Sequence, residues 1–416
     1  MGITSKFADF ISQYTSGTFV VPKGNTASRP LNSGVGTLYY NTENDVLENY
    51  TGQGWLKVSV KTPTVSSISG NIYSGNTSTL SFSGSGFGAA AGIVNFVSGA
   101  VNANATTSSL TDTSATVSVP ASIYGLGSGN TVNITLTNSD GVGSGITQKT
   151  SIGLPTGGTI TYIANNYVVH TFTSSGSFVA PSGFSTTANC LLIAGGGGGS
   201  MGGGGAGGYL PVSSVAISAG TYAATVGSGG AGSQNVRANA GSDGSNSSFN
   251  GSTAVGGGGG GAYGDQGVAV RTGRPGGSGG GGGGLFTNQT YTPGGAGTSG
   301  QGNPGAYSQN LVNGTGGGGG GAGAPGNDGN SGGSGGIGLA SSISGSSVYR
   351  AGGGGAGSSA SGSPGSGGNG GGGAGSGYTV TGSDASTNTG GGGGGGGGTI
   401  GGSGGSGVVI IRYQLS

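Results

Sequence analysis

The sequence predicts an all-β chain in three parts: a small β-hairpin module, an antiparallel β-sandwich and a strand-framed bundle of polyglycine helices of the polyproline II type. Three observations predict it. The first half alternates apolar and polar positions in short runs broken by turn residues, the period of half-buried strands. Glycine dominates from residue 195 onward, 113 of 416 residues in the whole chain, roughly four times its usual ~7% share. Much of that glycine falls at every third position, between apolar strand sequences that bracket it.

In chain order, residues 1–16 place Ile3, Phe7, Phe10, Ile11 and Tyr14 on one face of a short amphipathic helix, with Lys6 and Asp9 elsewhere on the wheel. So short a helix is marginal in water, so its stripe packs against its own domain, a symmetry mate or a docking partner. Residues 17–61 switch to period two and turn chemistry, a β-hairpin module with Trp55 and Tyr39 or Tyr40 as core anchors. The acids Glu43, Asp45 and Glu48 fall in a predicted hairpin turn and read as a solvated face. The elements PKGNTASRP (22–30), GTLYYNT (36–42) and YTGQGW (50–55) resemble a short module of bacteriophage tail-fibre and other virion proteins, which implies a docking role.

Residues 62–153 carry short strands at the spacing of an immunoglobulin-type sandwich: TPTVSSIS, STLSFSGSGFG, GIVNFVS, SATVSVP and NTVNITLTNSDG. The opening PTVSSI (63–68), then GSGFG (84–88), VNF (94–96), VSVP (117–120) and TLTNSDG (135–141) resemble the IPT/TIG family of immunoglobulin-like domains. That family supplies spacers and interaction modules, and the resemblance implies no catalysis.

The third part, residues 154–416, opens with strands TITYIA, YVVHTFTSSGSFVAP and ANCLLIAGGGGGS and closes with SGVVIIRYQLS. Between them lie glycine runs such as 195–199, 202–205, 256–261, 316–321 and 390–398. Glycine at every third residue, as in GAPGNDGNSGGSGGIG (323–338), has the period of a polyproline II helix, whose backbone groups are all free to bond neighbours. Nine glycines at about 3.1 Å rise span ~28 Å and six ~19 Å, lengths that suit stacked rows of one block. Collagen would need uninterrupted triplets and far more than the 12 prolines present. ANCLLI and GVVIIRY read as buried neighbouring strands, which argues against a flexible linker between them. VHTFTSSGSFVAP (169–181), LLIAGGGGG (191–199) and GVVIIRY (407–413) resemble the glycine-rich domain of phage tail-fibre tips and adhesins. The resemblance implies a rigid polyglycine sandwich with receptor-contacting loops at its distal end.

Chemistry is sparse. Lys and Arg total 11 against 10 Asp and Glu, so no basic stripe exists to neutralise phosphates, and nucleic acid is not expected as a partner. Cys190 and His170 are single, which leaves no disulfide and no Cys/His metal site. His170 sits in the alternating strand YVVHTF and reads as a packing residue. GxSxG recurs only because glycine is abundant, and no Gly-Lys dipeptide exists for a phosphate loop. The N-terminus lacks the basic and apolar regions of a signal peptide, and no apolar stretch is long enough to span a membrane.

What the glycine region does carry is Tyr and Arg set among Ser, Gly and Asn: Tyr263, Asp265, Arg271, Arg274, Leu285, Phe286, Tyr291, Tyr307, Tyr349, Arg350 and Tyr378. Such composition is that of a binding surface, since tyrosine gives large contacts at low entropic cost and arginine gives fixed donors. A bundle without interior side chains must also place its aromatics at ends and edges, so capping is the competing reading. The candidate receptor-binding residues are Tyr263, Arg271, Arg274, Phe286, Tyr291, Tyr307, Tyr349, Arg350 and Tyr378. The three resemblances together imply a non-enzymatic phage virion fibre or adhesin, assembled in the host cytoplasm as a homotrimer. Its partners would be other tail or fibre proteins and a host surface receptor, a glycan or an outer-membrane protein, with no cofactor, metal or membrane insertion. A bacterial surface or secreted adhesin and a purely structural virion decoration or baseplate component are the alternatives.

Overall fold

The structure is a computed structural model and describes residues 21–43, 46–58, 61–88, 90, 92–264, 268–284, 291–308, 314–328, 333–359 and 362–415. The helix predicted over residues 1–16 lies outside them. The described chain divides between Gly153 and Leu154 into two compact units.

The first unit opens with a four-stranded sheet in the order β1 (Lys23–Gly24), β2 (Leu38–Asn41), β3 (Val46–Tyr50), β4 (Trp55–Lys57). Cross-strand partners Tyr39–Glu48–Lys57 and Tyr50–Trp55 share one face. Tyr39 is buried there with its ring 5.6 Å from Trp55, which lies 5.4 Å from Tyr50, so Tyr39 rather than Tyr40 is the anchor. Glu48 departs from the expectation of a solvated face. It is buried and accepts from Arg29 Nε and Nη2 at 2.8 and 2.5 Å and from Asn41 Nδ2 at 3.3 Å. The forked guanidinium makes that burial tolerable, and a partner 19 residues away leaves no local signal. Glu43 is exposed, and Asp45 lies outside the described residues.

Eight strands follow: β5 (Thr64–Ser69), β6 (Thr79–Ser85), β7 (Ile93–Ser98), β8 (Val101–Thr106), β9 (Ser109–Leu110), β10 (Ser114–Ser118), β11 (Thr131–Thr137) and β12 (Thr147–Thr150). They form two sheets ordered β5-β6-β10-β9 and β12-β11-β7-β8, which is the immunoglobulin strand order with one added edge strand. Period two decides which side chains meet: Leu80, Phe82, Val94, Phe96, Val117, Val132, Ile134 and Leu136 fill the core, while Ser, Thr and Asn between them face outward. Asn138 closes one end, its Nδ2 donating to the carbonyls of Lys61 and Gly86 at 2.8 and 3.2 Å while Oδ1 accepts from the Asp140 and Val142 amides.

The second unit is framed by a seven-stranded sheet in the order β13-β14-β21-β15-β16-β17-β18. Its strands are β13 (Thr159–Ile163), β14 (Tyr167–Phe172), β15 (Gly176–Ile193), β16 (Tyr209–Thr225), β17 (Ser247–Phe249), β18 (Ser252–Ala254) and β21 (Val408–Gln414), with a separate hairpin of β19 (Leu339–Ser341) and β20 (Val348–Arg350). β15 and β21 pair antiparallel, Cys190 opposite Ile411 and Ile193 opposite Val408, so the chain enters and leaves the glycine region through neighbouring strands. Leu191, Ile193, Val408 and Ile410 share one core cluster with Ala206 and Tyr209. On the other face His170 is buried in β14, its Nδ1 2.7 Å from the Gly157 carbonyl and Nε2 3.1 Å from Tyr413 Oη, with its ring edge-on to Phe178 at 4.8 Å. Two strands differ from the sequence reading. β15 runs through Pro181 because register shifts between Ala180 and Ser185 absorb the missing donor. The 17-residue β16 was not anticipated, since its Ala, Ser and Thr positions alternate too weakly against the surrounding glycine.

Inside the glycine region each run has three residues per turn, and successive amides point to different neighbours. In 194–200, Ala194, Gly197 and Ser200 donate to Gly208, Gly205 and Gly202. Gly195 and Gly198 donate to Ser245 and Ser242, and Gly196 and Gly199 to Gly405 and Gly402, all at 2.8–3.1 Å. The carbonyls of the same run accept from three further runs, around Gly257 and Gly260, Gly230 and Ser233, and Gly393 and Gly396. One helix thus has six neighbours, and its amides from Ala194 to Ser200 and carbonyls from Gly195 to Ser200 all bond sideways. The run 202–208 is held in the same way.

This geometry explains the glycine pattern. A Cβ on Gly196 would sit 1.9 Å from the Gly391 oxygen, and one on Gly203 2.0 Å from the Gly354 oxygen, so unbroken glycine marks interior helices. At an edge only every third residue faces inward. In 241–245 a Cβ on Gly241 or Gly244 would strike the Gly198 or Gly195 oxygen, while Ser242, Asp243 and Ser245 are exposed. The segment 323–338 is accordingly two edge pieces on one interior run: Gly318 donates to Asn327, and Gly336 to Gly319.

Candidate functional site

Side chains excluded from the bundle interior collect where its helices end. The run 194–200 leaves the sheet at Ala194, so Ser200 marks the far end. There the loop 233–241 folds across: Ser200 Oγ and Ser233 Oγ both donate to the Asn239 carbonyl at 2.7 Å, and Asn235 Oδ1 accepts from the Arg237 amide. Val236 is fully buried and its carbonyl accepts from the Tyr263 amide at 2.6 Å. This turn places Arg237 outermost. Its guanidinium carbon lies 5.8 Å from the Tyr263 ring centroid and 5.7 Å from that of Tyr378, and Nη2 donates to Tyr378 Oη at 3.0 Å. Both distances lie within cation–π range.

The sequence candidates scatter around this centre. Tyr263 is only 3% exposed and forms the floor, while Tyr378 is 47% exposed. Tyr291 and Tyr307 stand at the same end, 62% and 51% exposed, flanking the bridge between Thr292 and Ser308. Arg271, at the close of the one-turn helix α1 (Val268–Arg271), is buried and its carbonyl accepts from Gly283. Arg274 lies on the flank, paired at 3.2 Å with Asp243, whose other oxygen accepts from the Gly259 amide. Tyr349 and Arg350 lie at the opposite, sheet end: β20 leads into Ala351, which bonds Thr389 beside the sheet, and burial lowers the pKa of Arg350. Phe286 and Asp265 lie outside the described residues. Sequence reasoning missed Arg237, which stands alone in the polar stretch SQNVRANAGS. The signal available was its place in a short loop between two every-third-glycine segments.

A family model described as a glycine-rich domain matches residues 171–414, more than half of the chain, from β14 to the end of β21. The chain belongs to the glycine-rich domain family. The bracketed bundle is therefore this glycine-rich domain, and the Arg237 cluster is a feature of its far end. No functionally curated protein matches the chain in sequence. Among solved structures it is similar to the crystal structure of the chicken CNTN1 FN1–FN3 domains, 11% identical over 43% of this chain and 69% of that one, with a TM-score of 0.19. The immunoglobulin order assigned above rests on the strand pairing alone. Chemically, the far end of the glycine-rich domain offers the Arg237 guanidinium set between tyrosine rings and the exposed faces of Tyr378, Tyr291 and Tyr307, a surface suited to stacking on sugar rings.

Proposed function

We propose that this protein is a non-enzymatic attachment protein of a bacteriophage virion, a fibre or adhesin whose glycine-rich domain is a rigid tip. The observation that carries the reading is the six-neighbour lattice ending in an exposed Arg and Tyr cluster. Such a block ties down the 233–241 loop that carries Arg237, and pre-ordered contact groups lose little entropy on binding. The fibre-like module and the spacer-like sandwich that precede it in the chain fit the same role. The surface bound is a host glycan or an outer-membrane protein, met by Arg237, Tyr378, Tyr291 and Tyr307.

The test is adsorption of phage carrying Arg237→Ala with Tyr378→Ala. Particles are expected to assemble in normal numbers and adsorb at least tenfold more slowly. Normal adsorption would instead favour a purely structural virion component.

A further inference from the structure

The seven-stranded sheet ends at β13 in an edge that nothing blunts. Its five residues, Thr159, Ile160, Thr161, Tyr162 and Ile163, are all β-branched or aromatic strand formers, and the first four are exposed. The strand pairs with β14 on one side only, and its remaining amides and carbonyls take no hydrogen bond among the described residues. It is anchored at both ends. Before it, Thr156 and Val179 exchange amide-to-carbonyl bonds at 3.0 and 2.9 Å. After it, the Leu415 amide and Gln414 Nε2 donate to the carbonyls of Asn166 and Asn165.

An unpaired edge is a template for another strand, which proteins discourage with short strands, lysine, proline or bulges. The other edges of the described sheets follow that rule or are poor strand formers. β1, β9, β18, β19 and β20 have two or three residues, β4 and β12 carry Lys57 and Lys149, β5 shifts register between Val65 and Ser67, and β8 is largely Asn and Ala. β13 has none of these devices.

We propose that β13 pairs antiparallel with β13 of a second copy, about a two-fold axis at Thr161. In that register Ile160 stands opposite the second copy's Tyr162 and Tyr162 opposite its Ile160, two aromatic–β-branched pairs on one face, while the two Thr161 side chains meet on the other. Ile160 and Tyr162 are 37% and 57% exposed, so both are available for that contact. A register centred on a residue joins even positions to even and odd to odd. The outward peptide groups of the two strands therefore face each other whichever set points outward. A second copy is favoured over an unrelated strand because β13 complements itself position by position and carries no charge for a different partner to match. Such an isologous pairing closes at two copies, unlike the homotrimer that the tail-fibre resemblance implies. The inference is independent of the attachment reading.

Sedimentation of the full chain tests it. The unaltered protein should pass from monomer to dimer as its concentration rises from micromolar to submillimolar. Ile160→Lys with Tyr162→Lys sets like charges opposite each other across the axis and should weaken association at least tenfold, with melting of the glycine-rich domain unchanged. Ile160→Lys with Tyr162→Glu sets opposite charges there and should restore the dimer. Monomer at every concentration, a trimer, or equal association of the two charged variants overturns the proposal. Cysteine linkage gives a second readout. Thr161→Cys lies on the axis, where facing Cα atoms are about 4.5–5.5 Å apart, and should form a disulfide between copies on mild oxidation. Thr159→Cys, whose two copies stand four residues apart along the strands, ~13 Å, should link at least tenfold less. Cys190 is buried with its thiol pushed up to about 12, so it does not compete at neutral pH. Equal yields from the two cysteine variants overturn the proposal too.

Discussion

Glu48 and His170 are ionisable side chains that the fold buries in strands, and each is stabilised differently. Glu48 is held by the forked Arg29 and by Asn41, so Arg29→Met leaves a carboxylate inside with one neutral donor. Breaking a buried pair costs about 3–5 kcal/mol, and since Arg29 keeps a quarter of its side chain in water the lower end is expected. Replacing both, Arg29→Met with Glu48→Leu, should recover most of that loss in a denaturant titration of the first unit. His170 works through pH. Burial holds its imidazole below the ordinary 6.5, with the bond to the Gly157 carbonyl acting in the opposite direction. Below 6.5 the unfolded chain takes up a proton that the fold refuses until a lower pH. The unfolded state therefore binds more protons in that window, and stability falls as pH drops through it. Thermal melting of the glycine-rich unit should be lower at pH 5 than at pH 7.5, and His170→Asn should shrink the difference.

At the scale of the element, the glycine helix makes a prediction that no side-chain contact could. Gly197→Ala would set a Cβ 2.2 Å from the Gly258 oxygen, and Gly241→Ala one 2.0 Å from the Gly198 oxygen, whereas around Gly377 there is open space. Overpacking costs about 1–3 kcal/mol or more, so the first two should lower the melting temperature of the glycine-rich unit. Gly377→Ala should leave it within about 0.5 kcal/mol, and Ser242→Ala, next to Gly241 but facing solvent, should do the same. The same geometry says what could be read in advance. The three-residue phase and the LLIAGGGGG and GVVIIRY brackets were legible because they are properties of one strand or one helix. Which run neighbours which was not, because glycine-to-glycine contacts carry no identity. β16 escaped because small residues blur its alternation. The site was legible by composition and not by place: Tyr378 and Tyr291 reach the far end, Tyr349 and Arg350 the sheet end and Arg274 the flank, and Arg237 was hidden by its polar neighbours.

For the molecule as a whole, both units bury an apolar core but only the second adds a backbone lattice to it, and calorimetry should separate them. The sandwich buries Leu80, Phe82, Phe87, Phe96 and Leu136 among others, so its unfolding exposes hydrocarbon and raises the heat capacity in the ordinary way, by about 12–15 cal/mol/K per residue. Beside the apolar residues of its sheet, such as Phe178, Leu192 and Ile411, the glycine-rich unit buries many peptide groups, bonded sideways at 2.8–3.1 Å in runs such as 194–200. Exposing polar surface lowers heat capacity, about −0.26 cal/K/mol/Å² against +0.45 for apolar surface, so the lattice offsets part of the apolar contribution there. In a scan of the full chain the transition assigned to the glycine-rich unit by its shift in Gly197→Ala should therefore show a smaller per-residue heat-capacity increment than that of the sandwich. A small increment means a shallow stability curve, so the bundle should lose little stability on cooling. With only 5% of residues charged, the same transition should move little between low and high salt. An increment near 14 cal/mol/K per residue for that transition would mean that apolar burial, not the backbone lattice, holds the domain together.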